Sequence, residues 1–599
     1  MLKNTLASLK NIRFGLAHVS LFLIGVMWVF PFIHPFHMYP LTSFDQEWWT
    51  ALLGVFALTL LLARDFWQQP KIPRIAQLPA GLIAILLLQM SLHKVAYFDQ
   101  GMLCILYLLF AALLILLGAR LRACFGLEKM ATMLAVFLLI GAELNALIGV
   151  LQYYRWSTPL NSVIVIKSSG VIGNLAQPNH FANYVTLGLT ALGLLYRQQM
   201  LKAGYVAVLV APLLFVVTLS GSRSVWLYLL MMVGLALWMS QRDAQQRPLL
   251  RYSLLLMAGF GVMHLIVKLP FMAGAVHSAD SMQRLFGAAD SGGIRLYLWY
   301  ESWQMFMQSP WLGVGFGQFA WHHFQLMPVL QPADNIQGLY NNAHNLIFQI
   351  AAEAGFAGLL VLFVSLGVWL HGMRRATLGT AHWWGYAALG VLAIHSLLEY
   401  PLWYAYFMAV AAILLGALDE THYHLELRKI GRISVAAILL LGLLTLIQLR
   451  SGYQQLRETL VIERVSGVDG AVKAFHRHRD GLISIHGGSL MTPYVEMFIV
   501  ALSDVNAEHL GAKLEFNGRA MRFIPSHPVV YRQAFLLAQN GQIEEAKQLL
   551  EQAIWSYPSS VAGHELLDQL AENDPAHFSA LLEFATQKEQ ERRRAIHRQ

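Results

Sequence analysis

Long apolar runs separated by short polar segments fill the first three quarters of the chain. Runs of about 17–25 residues, enough to cross a bilayer as a helix, fall near 14–33, 48–64, 77–93, 102–118, 130–152, 180–196, 203–219, 223–240, 250–269, 345–370, 382–398, 402–418 and 431–449. The pattern predicts an all-α polytopic membrane protein of about 13 transmembrane helices over residues 1–449. One long polar loop, about 270–344, interrupts it after the ninth span. From Arg450 the apolar runs stop, and 450–599 reads as a water-soluble helical domain. Within that domain, the stretch from His527-Pro528 to Pro558 places Ala534, Gly541, Ala546 and Ala553 at the offsets of a tetratricopeptide-like hairpin. A single such unit cannot bury its faces alone and needs flanking helices or a partner.

Charge tests the count of spans. Lys3, Lys10 and Arg13 precede the first run. Basic residues then gather in every second loop: Arg64, Lys71 and Arg74 after the second span, Arg120, Arg122 and Lys129 after the fourth, Arg197 and Lys202 after the sixth. Arg242, Arg247 and Arg251 follow the eighth, Arg374 and Arg375 the tenth, and Arg428, Lys429 and Arg432 the twelfth. The positive-inside rule puts the N-terminus in the cytoplasm and the C-terminal domain outside. Composition agrees, with 57% hydrophobic and only 13% charged residues, and excludes an ordinary soluble protein. The net charge of +8 is a matter of orientation and does not indicate nucleic acid. Cys104, in a span, and Cys124, in a short loop, provide neither a disulfide framework nor a cysteine metal site. The first run lacks a small-residue cleavage site and reads as a retained span.

On this map five polar motifs share the outer face. Gly173 to His180 closes the loop after the fifth span, and Ser220 to Arg223 turns after the seventh. Arg295, behind Gly292-Gly293, and the group Asn341-Asn342-Ala343-His344-Asn345 lie in the long loop; Glu399-Tyr400-Pro401 turns after the eleventh span. His344 precedes a helix, where free N–H groups favour an anion, and a neutral imidazole there accepts a proton from a hydroxyl. Its bland reading is a helix cap at the headgroup level. Arg223 and Arg295 present a planar fork suited to phosphate; the alternative for Arg223 is snorkelling to headgroups. The aromatic stretch from Arg295 to Phe306 reads as an amphipathic helix in the interface plane. Gln177, Asn179 and His180 flank Pro178 at a helix start and serve as caps or as donors to sugar hydroxyls or phosphate. Tyr400 is either an interface anchor or a substrate contact. His322-His323 has no carboxylate at a metal-ligand spacing and is expected at the surface. Lys473, His476, Arg477, His478 and Arg479 read as a solvated basic face.

With Gly173-Asn174-Leu175-Ala176-Gln177-Pro178-Asn179-His180-Phe181-Ala182, Asn342-Ala343-His344-Asn345, Ser222-Arg223 and Arg295 in view, the chain resembles the PglL-type protein O-oligosaccharyltransferases. These belong to the O-antigen ligase superfamily, and the C-terminal region resembles that of membrane-bound polymerases. The resemblance implies a GT-C-like, multi-pass enzyme of the bacterial inner membrane, its active face and C-terminal domain periplasmic. Such an enzyme moves an assembled oligosaccharide from an undecaprenyl-pyrophosphate carrier to a Ser or Thr hydroxyl of an acceptor protein such as a pilin. His344 would be the catalytic group, and Arg223 and Arg295 would bind the donor pyrophosphate. Gln177, Tyr400, Asn179, His180, Asn342 and Asn345 would position substrates. Direct displacement predicts inversion at the sugar C1, and with arginines supplying the charge no metal or cofactor is expected. Partners are then the lipid-linked donor, the acceptor protein and membrane lipids, with no nucleic acid. Two other acceptors fit the same chemistry, lipid A core for an O-antigen ligase or a second glycan for a polymerase. From other classes, a lipid-linked glycan transporter or a non-catalytic scaffold also competes. A transporter would carry polar groups near the midplane of repeated halves; here they cluster at one surface.

Overall fold

The computed structural model describes residues 15–165, 170–276, 291–332, 336, 338–374, 378–460, 468–558 and 560–596. Each of the thirteen apolar runs lies on helix. Among the described residues, eight helices are long and apolar enough to cross a membrane, from Leu16–Ile33 to Arg428–Leu460. The other runs fall on helices that are shorter, as Ala203–Leu219 and Ala405–Leu418 are, or more polar. Pro178–Arg197 is of the polar kind. Every residue from His180 to Leu195 is buried, so protein rather than lipid surrounds Asn183, Thr186 and Thr190. The two threonine hydroxyls donate to Ala182 O and Leu187 O at 2.7 Å, as a polar group at membrane depth requires.

Contacts gather the chain into two compact units, Met1–Ala80 with Leu108–Ala289 and Phe363–Leu446, and Gly81–Tyr107 with Asp290–Leu362 and Ile447–Gln599. In the first unit, loops meet according to the parity of the spans they follow. The loop after the second span reaches the fourth through Arg120 and Asp65. It reaches the twelfth through Ile75 N–H donating to Asp419 Oδ2 at 2.8 Å and an antiparallel pairing of Lys71–Pro73 with His422–His424. Arg122 pairs with Glu420 at 2.8 Å, Gln198 donates to Glu128 at 3.0 Å, and Arg197 to Gln245 O at 3.1 Å. Loops after odd spans join one another instead: His37 Nε2 lies 2.6 Å from Asn174 O, and Asn179 bonds both Ser222 and Glu399. One span more or fewer would scramble this sorting. Small residues let the helices approach; a Cβ on Gly118 or Gly416 would strike the facing backbone carbonyl of Ile413 or Ile115.

In the second unit, helix Leu346–Met373 is broken at Gly355, whose φ of 62° and ψ of −157° lie outside the helical region. The break admits the loop from Pro310 to Gly317. Phe356 N–H donates to Pro310 O at 2.7 Å and Val314 N–H to Ala352 O at 2.8 Å. Gln89 fastens the insertion, donating to Leu312 O and Glu353 O and accepting from Phe316 N–H. The buried Glu353 carboxylate accepts from Gly317 N–H and Phe319 N–H. His527–Gln539 and Ile543–Ser556 are two helices packed on each other, with Gly541 between them at φ 78°. Their faces are covered, as a lone pair requires, by Phe324, Ala520, Met521, Phe578 and Leu581 from flanking helices. Of the expected solvated basic face, His476 and Arg477 are exposed, while His478 and Arg479 are half-buried, His478 Nδ1 bonding Thr459 O; the side chain of Lys473 lies outside the described residues. Cys124, expected in a loop, sits exposed on the last turn of Phe98–Phe125, which outlasts its apolar run.

Candidate active-site residues

In the first unit the polar group forms around the start of Pro178–Arg197. Pro178 opens the helix, where its missing N–H costs nothing, and Gln177 is its N-cap, Oε1 accepting from His180 N–H at 2.5 Å. The local role of Gln177 is thus the capping one. Asn179 ties three loops, its Nδ2 donating to Glu399 Oε1 at 2.7 Å and its Oδ1 accepting from Ser222 Oγ at 2.8 Å. Glu399 is 4% exposed and Ser222 2%. Arg223 is half-buried at the N-cap of Ser224–Arg242, directly after that seryl contact.

His180 is buried, its Nδ1 lying 2.9 Å from His395 Nε2. His395 Nδ1 lies in turn 3.0 Å from Tyr228 Oη. Neutral rings satisfy this chain in two ways. With protons on both Nδ1 atoms, His180 Nε2 is an acceptor. With Tyr228 donating to His395 and His395 Nε2–H donating to His180, the His180 Nε2 carries the proton. His395 and Tyr228 therefore govern what His180 offers. The His180 ring meets Tyr404 edge-on, with centroids 5.1 Å apart, and Tyr404 stacks on Tyr400. Burial pushes the Tyr400 phenol up, which keeps it a neutral donor.

A cavity of about 210 Å³ opens here, lined by Gln177, His180, Tyr404, Gln46, His37 and Asn174 among others. Gln46 and His37 were missed by sequence reasoning. Their segment lies between the first two spans and carries no motif beyond scattered histidines. The Gln46 amide nitrogen lies 3.4 Å from His34 O and Phe36 O, while its buried Oε1 has no partner among the described residues.

In the second unit, His344 takes a left-handed backbone with φ 51°, uncommon for a residue with a side chain. Its neighbours hold that turn. Asn342 Oδ1 accepts from His344 N–H at 2.8 Å, Ala343 N–H donates to Gln349 Oε1 at 2.6 Å, and Asn345 caps the following helix through Ile347 N–H and Phe348 N–H. Ala343 is fully buried among Leu298, Met305 and Phe319, which leaves His344 half-buried at the helix start. Asn342 and Asn345 thus act on the backbone that presents His344. Arg295 is half-buried on helix Ser291–Gln308. Gly292 and Gly293 lie on that same helix.

The same helix overturns one sequence expectation. His323 is not a surface residue: it is fully buried, its Nδ1 2.8 Å from the equally buried Glu301 and its Nε2 3.2 Å from Gly338 O. Helix Phe319–Leu330 turns His323 inward against Ser291–Gln308, and the partner carboxylate comes from 22 residues away, beyond any local spacing. The pair braces the helix of Arg295 to the segment that leads to His344, where Tyr340 packs edge-on against the His323 ring. Among the described residues no cluster of three or more His, Cys, Asp or Glu is arranged to hold a metal.

Residues 207–363 match the family model described as O-Antigen ligase. Residues 383–570 match that described as Virulence factor membrane-bound polymerase, C-terminal. The chain is 29% identical over 457 residues to a General O-oligosaccharyltransferase of Acinetobacter baylyi, covering 73% of this chain and 76% of that protein. It is 20% identical over 395 residues to a ComP-specific O-oligosaccharyltransferase of the same organism, covering 63% and 69%.

Proposed function

We propose, for a chain that belongs to the O-antigen ligase superfamily, the function of a PglL-type protein O-oligosaccharyltransferase. It is a multi-pass membrane glycosyltransferase that moves a lipid-linked oligosaccharide to protein hydroxyls. The observation that carries this reading is the similarity to a general O-oligosaccharyltransferase over 73% of the chain.

The finer picture is our proposal. The carrier is undecaprenyl pyrophosphate in the outer leaflet of the inner membrane, and the active face and the helical region 450–599 are periplasmic, following the alternation of basic loops. The acceptor is a Ser or Thr of an exported, pilin-like protein. Its hydroxyl oxygen attacks the sugar C1 as the bond from C1 to the pyrophosphate oxygen breaks, inverting that carbon. His344 takes the hydroxyl proton; its left-handed turn fixes where the ring points. Arg223 and Arg295 neutralise charge developing on the leaving pyrophosphate. Gln177, His180 and Tyr400 contact the donor, with Asn179 holding their loops in register. Asn342 and Asn345 position His344.

Co-expression with a lipid-linked glycan pathway and a pilin-like acceptor, in a host lacking its own ligase, tests the reading. Intact-mass spectrometry is expected to show the acceptor heavier by one whole glycan. Glycan on lipid A core with an unmodified acceptor would replace it by the ligase function.

A further inference from the structure

A second polar cavity, of about 420 Å³, lies in the unit that carries His344 and is built without any residue assigned above. Its volume is that of a small-molecule site. Three distant segments line it. Lys94 comes from the loop after the third span, Gln308, Gln318 and Trp321 from the long loop, and Arg522 from the C-terminal domain.

The lining is one-sided in charge. Lys94 and Arg522 supply two cations, and among the described residues that line it none is a carboxylate. Glu353, beneath the inserted loop, is engaged with Gly317 N–H and Phe319 N–H. Lys94 is held rigidly: its ammonium donates to Ser309 Oγ at 3.0 Å and Gly313 O at 2.9 Å, which leaves one of its three protons. Arg522 reaches His93 O at 3.4 Å through one nitrogen only. Burial, with Lys94 and Arg522 alongside, lowers His322 to about 4, so near neutral pH it adds a hydrogen-bonding ring rather than a third charge.

Around these cations stand groups that a bare anion would not need. Gln318 is 1% exposed, and its Oε1 has no partner among the described residues. A buried, unpaired carboxamide oxygen is costly and calls for a donor such as a hydroxyl. Gln308 and Gln325 add further carboxamides. Trp321 packs on the C-terminal core, which fixes an amphipathic indole against the cavity. Val314, from the loop pinned into the broken helix, is also part of the lining, which preorganises the site.

Cation pair, carboxamides and a fixed aromatic face together define one ligand class. We infer that this cavity binds an anionic saccharide unit, a sugar bearing a carboxylate or phosphate, and so selects acidic glycans. The source of that sugar rests on the oligosaccharyltransferase reading; the binding chemistry does not.

The test is a titration of the purified full-length protein in nanodiscs, read by saturation-transfer NMR. Methyl β-D-glucuronide, methyl β-D-glucoside and inorganic phosphate are the probes. The expected result is saturable glucuronide binding, with glucoside about tenfold weaker and Arg522→Gln lowering glucuronide affinity about tenfold. Arg522 is exposed and makes a single long bond, so the variant folds; unchanged thermal unfolding checks this. Equal binding of the two sugars, glucuronide binding untouched by Arg522→Gln, or phosphate binding without glucuronide would each overturn the inference. Binding is read without turnover, so failure here leaves glycan transfer standing, and absent transfer leaves the binding result standing.

Discussion

His180 Nδ1 lies 2.9 Å from His395 Nε2, and both rings are buried. Tyr228 ends the chain 3.0 Å beyond. A hydrogen bond to one ring nitrogen sets the tautomer and orientation of an imidazole, and in metal-histidine sites losing such a partner costs about 10- to 100-fold. Tyr228→Phe is therefore expected to lower glycan transfer about tenfold at unchanged protein level, and His395→Gln to lower it further. Intact-mass quantification of the acceptor at matched expression measures both. A merely packing role would leave the pH profile of transfer unmoved, whereas tautomer control shifts it in Tyr228→Phe.

Asn179 joins Ser222 and Glu399 by donating to one and accepting from the other. Asn179→Asp sets a carboxylate against Glu399 and is expected to lower both apparent Tm and transfer. Adding Glu399→Gln restores a donor–acceptor pair with the roles exchanged and should recover about 1–2 kcal/mol of the loss. Thermal unfolding of the single and double variants in detergent closes the cycle. Equal Tm values for the two would show that the pair carries no coupling.

Gly355 holds φ 62° where the inserted loop enters its helix, and a Cβ there would lie 2.6 Å from Gly313 N. Gly355→Ala combines backbone strain with this collision and is expected to cost about 1–3 kcal/mol. A fall in Tm together with faster proteolysis between Ser309 and Gly317 would report the loosened loop.

His322 gives a pH prediction with a definite sign. Its folded-state value, about 4, is lower than the ordinary 6.5, so the unfolded chain binds the proton more readily over that window. Stability then rises with pH between about 4 and 6.5 and falls on acidification through it. His322→Gln is expected to flatten the Tm-against-pH curve over this range while leaving the neutral end nearly unchanged.

Much of this architecture was legible because membrane depth imposes a simple rule on composition. Apolar runs fell on helix, eight of them long and apolar enough to span among the described residues, and basic residues gave a parity that the loop bonds Arg122 to Glu420 and Asn179 to Glu399 obey. The remainder depended on partners far apart in the chain. His395 sits inside an apolar run 215 residues from His180, and one imidazole there leaves no local signature. Glu301 and His323 lie on different helices, which is why the histidine pair read as surface. The break at Gly355 looks in sequence like one more small residue in a span; only the inserted loop gives it meaning. Asn342 and Asn345 showed their identity but not their work, which is to bond backbone beside His344.

The central claim is that His344 takes the acceptor proton while oligosaccharide leaves its pyrophosphate carrier. Purified protein, reconstituted with lipid-linked oligosaccharide and acceptor, tests this with His344→Ala against wild type, both first matched for Tm. The account predicts at least a 100-fold loss of transfer, the scale of a lost general base, with donor binding retained. Full transfer by a folded His344→Ala protein would contradict it.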